Sequence, residues 1–179
     1  MSPRKSAVLV IALIATLISC RRQQAAAASV PSAPPPAEAI VPEAQGDSLA
    51  VAYSRSPCFG MCPVFECRIY RSGYAVYKGI NFVDHIGWYH ATLASADIRD
   101  VMATADRIGY FSMREVYDEP RITDLPSVTT ALAGKNGIRR VVNRYGGPRQ
   151  LEELYQQLDI LLEEARWRPL EKEPAGWDQ

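Results

Sequence analysis

The sequence has no long apolar run, no excess of either charge and none of the common catalytic signatures. The apolar stretch Ala7–Ile18 is twelve residues long, short of the ~20 that a helix needs to cross a bilayer. Lys and Arg number 20 and so do Asp and Glu. That balance gives no electrostatic reason to expect nucleic acid or an acidic substrate as partner. There is no G-x-S-x-G, no H-E-x-x-H, no phosphate-cradling glycine loop and no dinucleotide fingerprint, so no cofactor is implied. Only two histidines occur, His85 and His90. Five apart on one expected strand, they would point to opposite faces and could not both meet one ion.

The N-terminal residues are of a different kind. Arg4 and Lys5 precede the apolar stretch, and Leu17-Ile18-Ser19-Cys20 closes it. Cations before a short apolar run and then small residues form the pattern of a processed signal. Leu-Ile-Ser-Cys resembles the lipobox of bacterial lipoproteins. The resemblance implies cleavage after Ser19, diacylation of the Cys20 thiol and acylation of the new amine, hence a membrane partner through an N-terminal lipid. An ordinary secretory signal with an incidental Cys20 is the other reading. Arg21 follows the cysteine, which by the same resemblance favours the outer membrane, on its periplasmic face. Removal of residues 1–19 takes Arg4 and Lys5 and no acid, moving the net charge from zero to −2. Residues 20–47 follow as a tether: 21–47 hold no aromatic residue, five prolines and eight alanines. Such a stretch buries too little to offset its ordering entropy and could extend roughly 80 Å.

From Ser48 the pattern changes to period two. Leu49, Val51 and Tyr53 alternate with small or polar residues. Pro63–Tyr70 reads as a second strand, Tyr74–Lys78 as a third after a Ser72-Gly73 turn, and Phe82–Thr92 as a fourth. Ser95 is the expected N-cap of a helix whose stripe is Ile98, Val101, Met102, Ala105 and Ile108, ending at Gly109. Val128–Leu132 and Ile138–Tyr145 flank Asn136-Gly137, a type I′ hairpin signal. Pro148 is expected at the first position of a last helix carrying Leu151, Leu154, Tyr155, Leu158, Leu161, Leu162 and Ala165. The order ββββαββα predicts an α+β fold: an antiparallel sheet of about six strands with both helices on one face. The domain is expected over 48–168, with 169–179 as a C-terminal tail.

The most distinctive segment is Ser56-Pro57-Cys58-Phe59-Gly60-Met61-Cys62-Pro63. With the later Thr123-Asp124-Leu125-Pro126 and the Gly147-Pro148 before the last helix, it resembles the bacterial domain-of-unknown-function family 6438, over roughly Ser48 to Arg168. The family has no known activity, so the resemblance implies none. Read from the residues, Gly60 permits a tight turn that would bring Cys58 and Cys62 within disulfide range. Cys67 shares a strand face with Phe65 and Ile69 and reads as a small core residue. Outside the cytosol the pair is expected to be a structural bridge. A redox-active pair and a metal site stay as alternatives, although C-x-x-x-C is not the C-x-x-C of thioredoxin-like enzymes.

Asp118, Glu119 and Asp124 gather in one loop, but not at the spacing of a twelve-residue Ca²⁺ loop. A solvated turn, with Asp124 bonding backbone amides before Pro126, is expected instead. Lys135, Arg139, Arg140, Arg144 and Arg149 are expected to charge an exposed edge strand, or to meet anionic lipid, glycan or a partner. Trp88, Tyr89, His90 and Tyr110-Phe111 read as packing residues. The expectation is a non-catalytic envelope lipoprotein that binds a protein or glycan partner. The alternative is a thiol–disulfide or metal-linked enzyme acting through Cys58 and Cys62.

Overall fold

The computed structural model describes residues 46–177; the signal, Cys20 and the tether up to residue 45 lie outside them. Within the described residues the chain builds β1 (Leu49–Arg55), β2 (Val64–Tyr70), β3 (Tyr74–Asn81), β4 (Gly87–Thr92), α1 (Ser95–Arg107), β5 (Val116–Tyr117), β6 (Val128–Gly134), β7 (Gly137–Asn143), α2 (Leu151–Glu164) and β8 (Arg168–Pro169). The strands form one sheet in the order β5-β7-β6-β1-β2-β3-β4-β8. Every pairing is antiparallel except β5 with β7. This is the expected α+β class, with eight strands where about six were expected. The two additional strands, β5 and β8, are two residues each, too short to leave a period-two pattern.

Alternation along the strands sorts the side chains as the pattern requires. Val51, Tyr53, Phe65, Cys67, Ile69, Tyr77, Leu132 and Val141 face one side, in one core with Ile98, Val101 and Ala105 of α1 and Leu151, Leu154 and Leu158 of α2. Each such large apolar side chain contributes roughly 1.5–3 kcal/mol by leaving water. The helices run antiparallel over this face, and Arg107 at the end of α1 meets Glu153 near the start of α2 at 2.6 Å. Tyr110 closes the connection: its buried hydroxyl donates to the Thr130 carbonyl at 2.9 Å.

The other face carries a second, smaller core of Tyr70, Val76 and Trp177, with Leu49, Tyr74 and Trp88 packed on it. The stretch read as a C-terminal tail therefore returns to the sheet. Its β8 pairs with β4, and Trp177 packs edge-on against Trp88 at 4.9 Å between centroids.

Several local expectations are corrected. β4 begins at Gly87, not Phe82, and the strand before it runs on to Asn81. The 82–86 loop folds back on β3 so closely that a Cβ on Gly79 would lie 1.7 Å from the His85 carbonyl oxygen. His85 is thus in a loop, packed on Tyr89, while His90 packs on Tyr74. Ser95 is the first helical residue; Ala94 holds the cap position without a side-chain bond, its carbonyl accepting from Asp97 and Ile98. Pro148 precedes α2 in a tighter turn, its carbonyl accepting from Leu151 N–H at 3.0 Å. In the hairpin Gly134 pairs with Gly137, leaving Lys135 and Asn136 as the turn. Only Gly137 there has a positive φ, +107°, so the type I′ geometry expected of Asn136-Gly137 is not formed.

Candidate functional site

Antiparallel pairing brings four connections to one end of the sheet: 56–63, 82–86, 118–127 and 144–150. Both sequence motifs lie there, joined through Ser56 and Ser127. The Ser56 N–H donates to the Ser127 carbonyl at 3.0 Å. In return the Ser127 N–H and hydroxyl both donate to Ser56 Oγ, at 2.7 and 2.9 Å. Pro57 then turns the chain away from the sheet into the cysteine loop.

Cys58 and Cys62 are bonded, with their Cα atoms 5.7 Å apart, and Cys67 is free and buried. Burial pushes the Cys67 thiol far above its ordinary pKa, so it carries no nucleophilic thiolate at neutral pH. Gly60 donates its N–H to Cys58 Sγ at 3.2 Å. Its φ lies outside the left-handed region, and a Cβ there would come no closer than 3.8 Å to that sulfur. The expected turn is formed, although neither observation makes glycine obligatory there. At the tip, Phe59 is 93% and Met61 83% exposed.

In the second motif the Thr123 hydroxyl donates to the Asp124 carboxylate at 3.0 Å, and Asp124 has φ +64°. The expected bonds from backbone amides to Asp124 do not form. Order in this loop comes instead from Arg144, which donates to Asp118 Oδ1 and to the carbonyls of Ile122 and Glu119. Glu119 is held by Arg121, which keeps its carboxyl below the usual range. Arg139 is likewise bound to Glu115, so Arg139 and Arg144 serve internal ties, while Arg140 is exposed. β5 lies outside β7 only at Val142 and Asn143, so the expected edge remains along Arg139 and Arg140. Among the described residues no group of three or more His, Cys, Asp or Glu is placed to hold a metal ion.

Pro63, the last residue of the cysteine motif, leads into a cleft of about 510 Å³. Its apolar wall contains Phe65, Tyr77, Leu162 and Trp167, and Arg55, Asp84, His85, Asp159 and Glu163 also line it. Phe65 stacks on Tyr77 at 5.5 Å between ring centroids, and Trp167 packs on Tyr77 at 5.1 Å with its ring tilted by 38°. At the inner edge the Tyr53 hydroxyl donates to Asp159 Oδ1 at 2.7 Å and accepts from Arg55 Nε at 2.9 Å. Arg55 also meets Asp159 Oδ2 at 2.5 Å. Desolvation drives the Tyr53 pKa far up, so this phenol stays protonated and gives no general base. Arg55 and Asp159 were missed from the sequence. A signal existed: Arg55 continues the buried parity of Val51 and Tyr53, where a cation needs a partner.

Residues 49–162 match the family described as a domain of unknown function (DUF6438), and the chain belongs to that family. No curated protein and no solved structure matches it.

Proposed function

We propose that this member of the family is a lipid-anchored module of the bacterial cell envelope, non-catalytic, whose cysteine loop docks a protein partner. Acylation of Cys20 and a place on the periplasmic face of the outer membrane are part of the reading. They rest on the Leu17–Cys20 pattern and on Arg21. The disulfide is in keeping with an oxidising compartment.

The observation that carries the docking reading is the exposure of Phe59 and Met61 on a loop closed by the Cys58–Cys62 bond. Large apolar side chains held out from a surface mark interaction sites when they are gathered together, and Phe82, 49% exposed, stands at the same sheet end. A loop fixed by a covalent bond and by the Ser56–Ser127 ties loses less backbone entropy on binding, which lowers one of the costs of association. Aromatic anchors of this kind dominate interface energetics.

The test places a photo-crosslinking amino acid at position 59 in cells, with a second at exposed Ile160 on α2 as reference. A discrete adduct with one envelope protein from position 59, absent from position 160, supports docking through the tip. Identical patterns from both positions refute it. Mixed disulfides trapped by Cys62→Ser would favour thiol chemistry instead. Loss of palmitate-analogue label in Cys20→Ala checks the anchor, and label that persists refutes it.

A further inference from the structure

The cleft beside the cysteine loop has a specific charge and ring arrangement. Three carboxylates line it, of Asp84, Asp159 and Glu163, against one guanidinium, Arg55. Arg55 is committed to Asp159. Among the described residues neither Asp84 nor Glu163 has an ion-pair partner, and both residues are exposed.

The rings behave in a matching way. Elsewhere the chain lays its own cations over aromatic faces: Arg68 over Trp177, Lys78 over Trp88 and Arg114 over Tyr117. Among the described residues no cation lies over Tyr77 or Trp167, the two neighbouring rings of the cleft. Trp167 is half-buried and fixed from below, its Nε1–H donating to the Leu162 carbonyl at 2.9 Å. A fixed aromatic wall with two unpaired carboxylates beside it attracts a cation that carries an apolar stem.

From this we propose that the cleft receives a basic side chain, arginine above all, of the polypeptide that docks on the cysteine loop. The stem would lie along Trp167 and Tyr77, with the guanidinium between Asp84 and Glu163. Arginine suits the site better than lysine because its planar, weakly hydrated head stacks on rings while bonding carboxylates. The inference rests on the docking reading above and gives it a chemistry: a partner segment with a basic residue next to an apolar one. Charge complementarity is what selects that occupant.

The test titrates the domain with acetyl-Phe-Arg-amide, followed by NMR at the Trp167 indole. The neutral citrulline analogue and ethylguanidinium serve as references. Saturable shifts at Trp167 are expected, with the citrulline peptide and ethylguanidinium each about fivefold weaker or worse. Asp84→Asn and Glu163→Gln, both at exposed positions, should each weaken the peptide about two- to fivefold, and added salt should do the same. Equal affinity for the citrulline peptide overturns the charge reading. Ethylguanidinium as tight as the peptide would make this a small-cation site instead. No shift at Trp167 with millimolar peptide overturns the proposal outright. A position-59 crosslink that survives in Glu163→Gln and Asp84→Asn while the titration fails would sink this inference and leave the docking reading standing.

Discussion

Ser56 Oγ accepts two bonds from Ser127, one from its N–H at 2.7 Å and one from its hydroxyl at 2.9 Å. Seventy-one residues separate the two serines, and β1 and β6, which they extend, are neighbours. The link ties the segment after Thr123-Asp124-Leu125-Pro126 to the base of the cysteine loop. Replacing Ser56 by Ala would leave the partly buried Ser127 N–H without its acceptor, at a cost of about 1–2 kcal/mol. Chemical denaturation measures it. An unchanged midpoint would mean that the tie adds nothing to stability.

The Cys58–Cys62 bond closes a very short loop, so its removal should cost only ~2 kcal/mol in chain entropy. Peptide mass mapping of oxidised protein should show that pair linked and Cys67 free. Cys67 should resist alkylation until the domain unfolds, since it is 1% exposed beneath the helices. Rapid labelling of Cys67 in the native state would contradict its placement in the core.

Trp177 is 4% exposed and joins the back-face core of Tyr70 and Val76. Its ring lies under the Arg68 guanidinium at 4.2 Å, and its carbonyl accepts from Arg68 Nη2 at 2.6 Å. Trp177→Ala should therefore destabilise the domain by about 3 kcal/mol, the scale of a buried ring. A variant as stable as the wild type would show that the C-terminal segment does not hold the sheet.

In the second hairpin only Gly137 needs a conformation that L side chains avoid. Gly137→Val should cost about 1–3 kcal/mol, while Asn136→Thr should be close to neutral. A type I′ turn would penalise both, because it requires positive φ at each central residue. Comparing the two denaturation midpoints separates the geometries.

His90 is held below its ordinary pKa of 6.5, first by desolvation and then by Arg168. The unfolded chain then binds more protons in acid, so this part of the stability is whole above 6.5 and is lost as the pH falls through the folded pKa. Melting temperatures recorded from neutral pH to mild acid should fall for the wild type and fall less for His90→Gln. The carboxyl groups of Glu119 and Glu153, lowered from 4.5 by their arginines, lose their contribution only in stronger acid. Identical slopes for wild type and variant would remove His90 from the account.

Some of this was written in the chain itself. The parity of Phe65, Cys67 and Ile69 placed Cys67 in the core, because a strand next to a packed face tolerates one sorting of its side chains. The stripe from Leu151 to Leu162 fixed the buried face of α2 for the same reason at helical period. The short spacing of Cys58 and Cys62 allowed a bond through one local turn, independent of contacts with distant segments. What periodicity does not carry is contact between segments distant in sequence. Nothing local announces that Asp159 reaches Tyr53, that Ser127 closes on Ser56 or that Trp177 covers Tyr70. Two-residue strands such as β5 and β8 are too short to leave a pattern, and the 82–86 loop passes for strand until its fold over Gly79 is seen. The cleft exists only because β2, β3, α2 and that loop converge, so its charge and its rings were decided by tertiary structure.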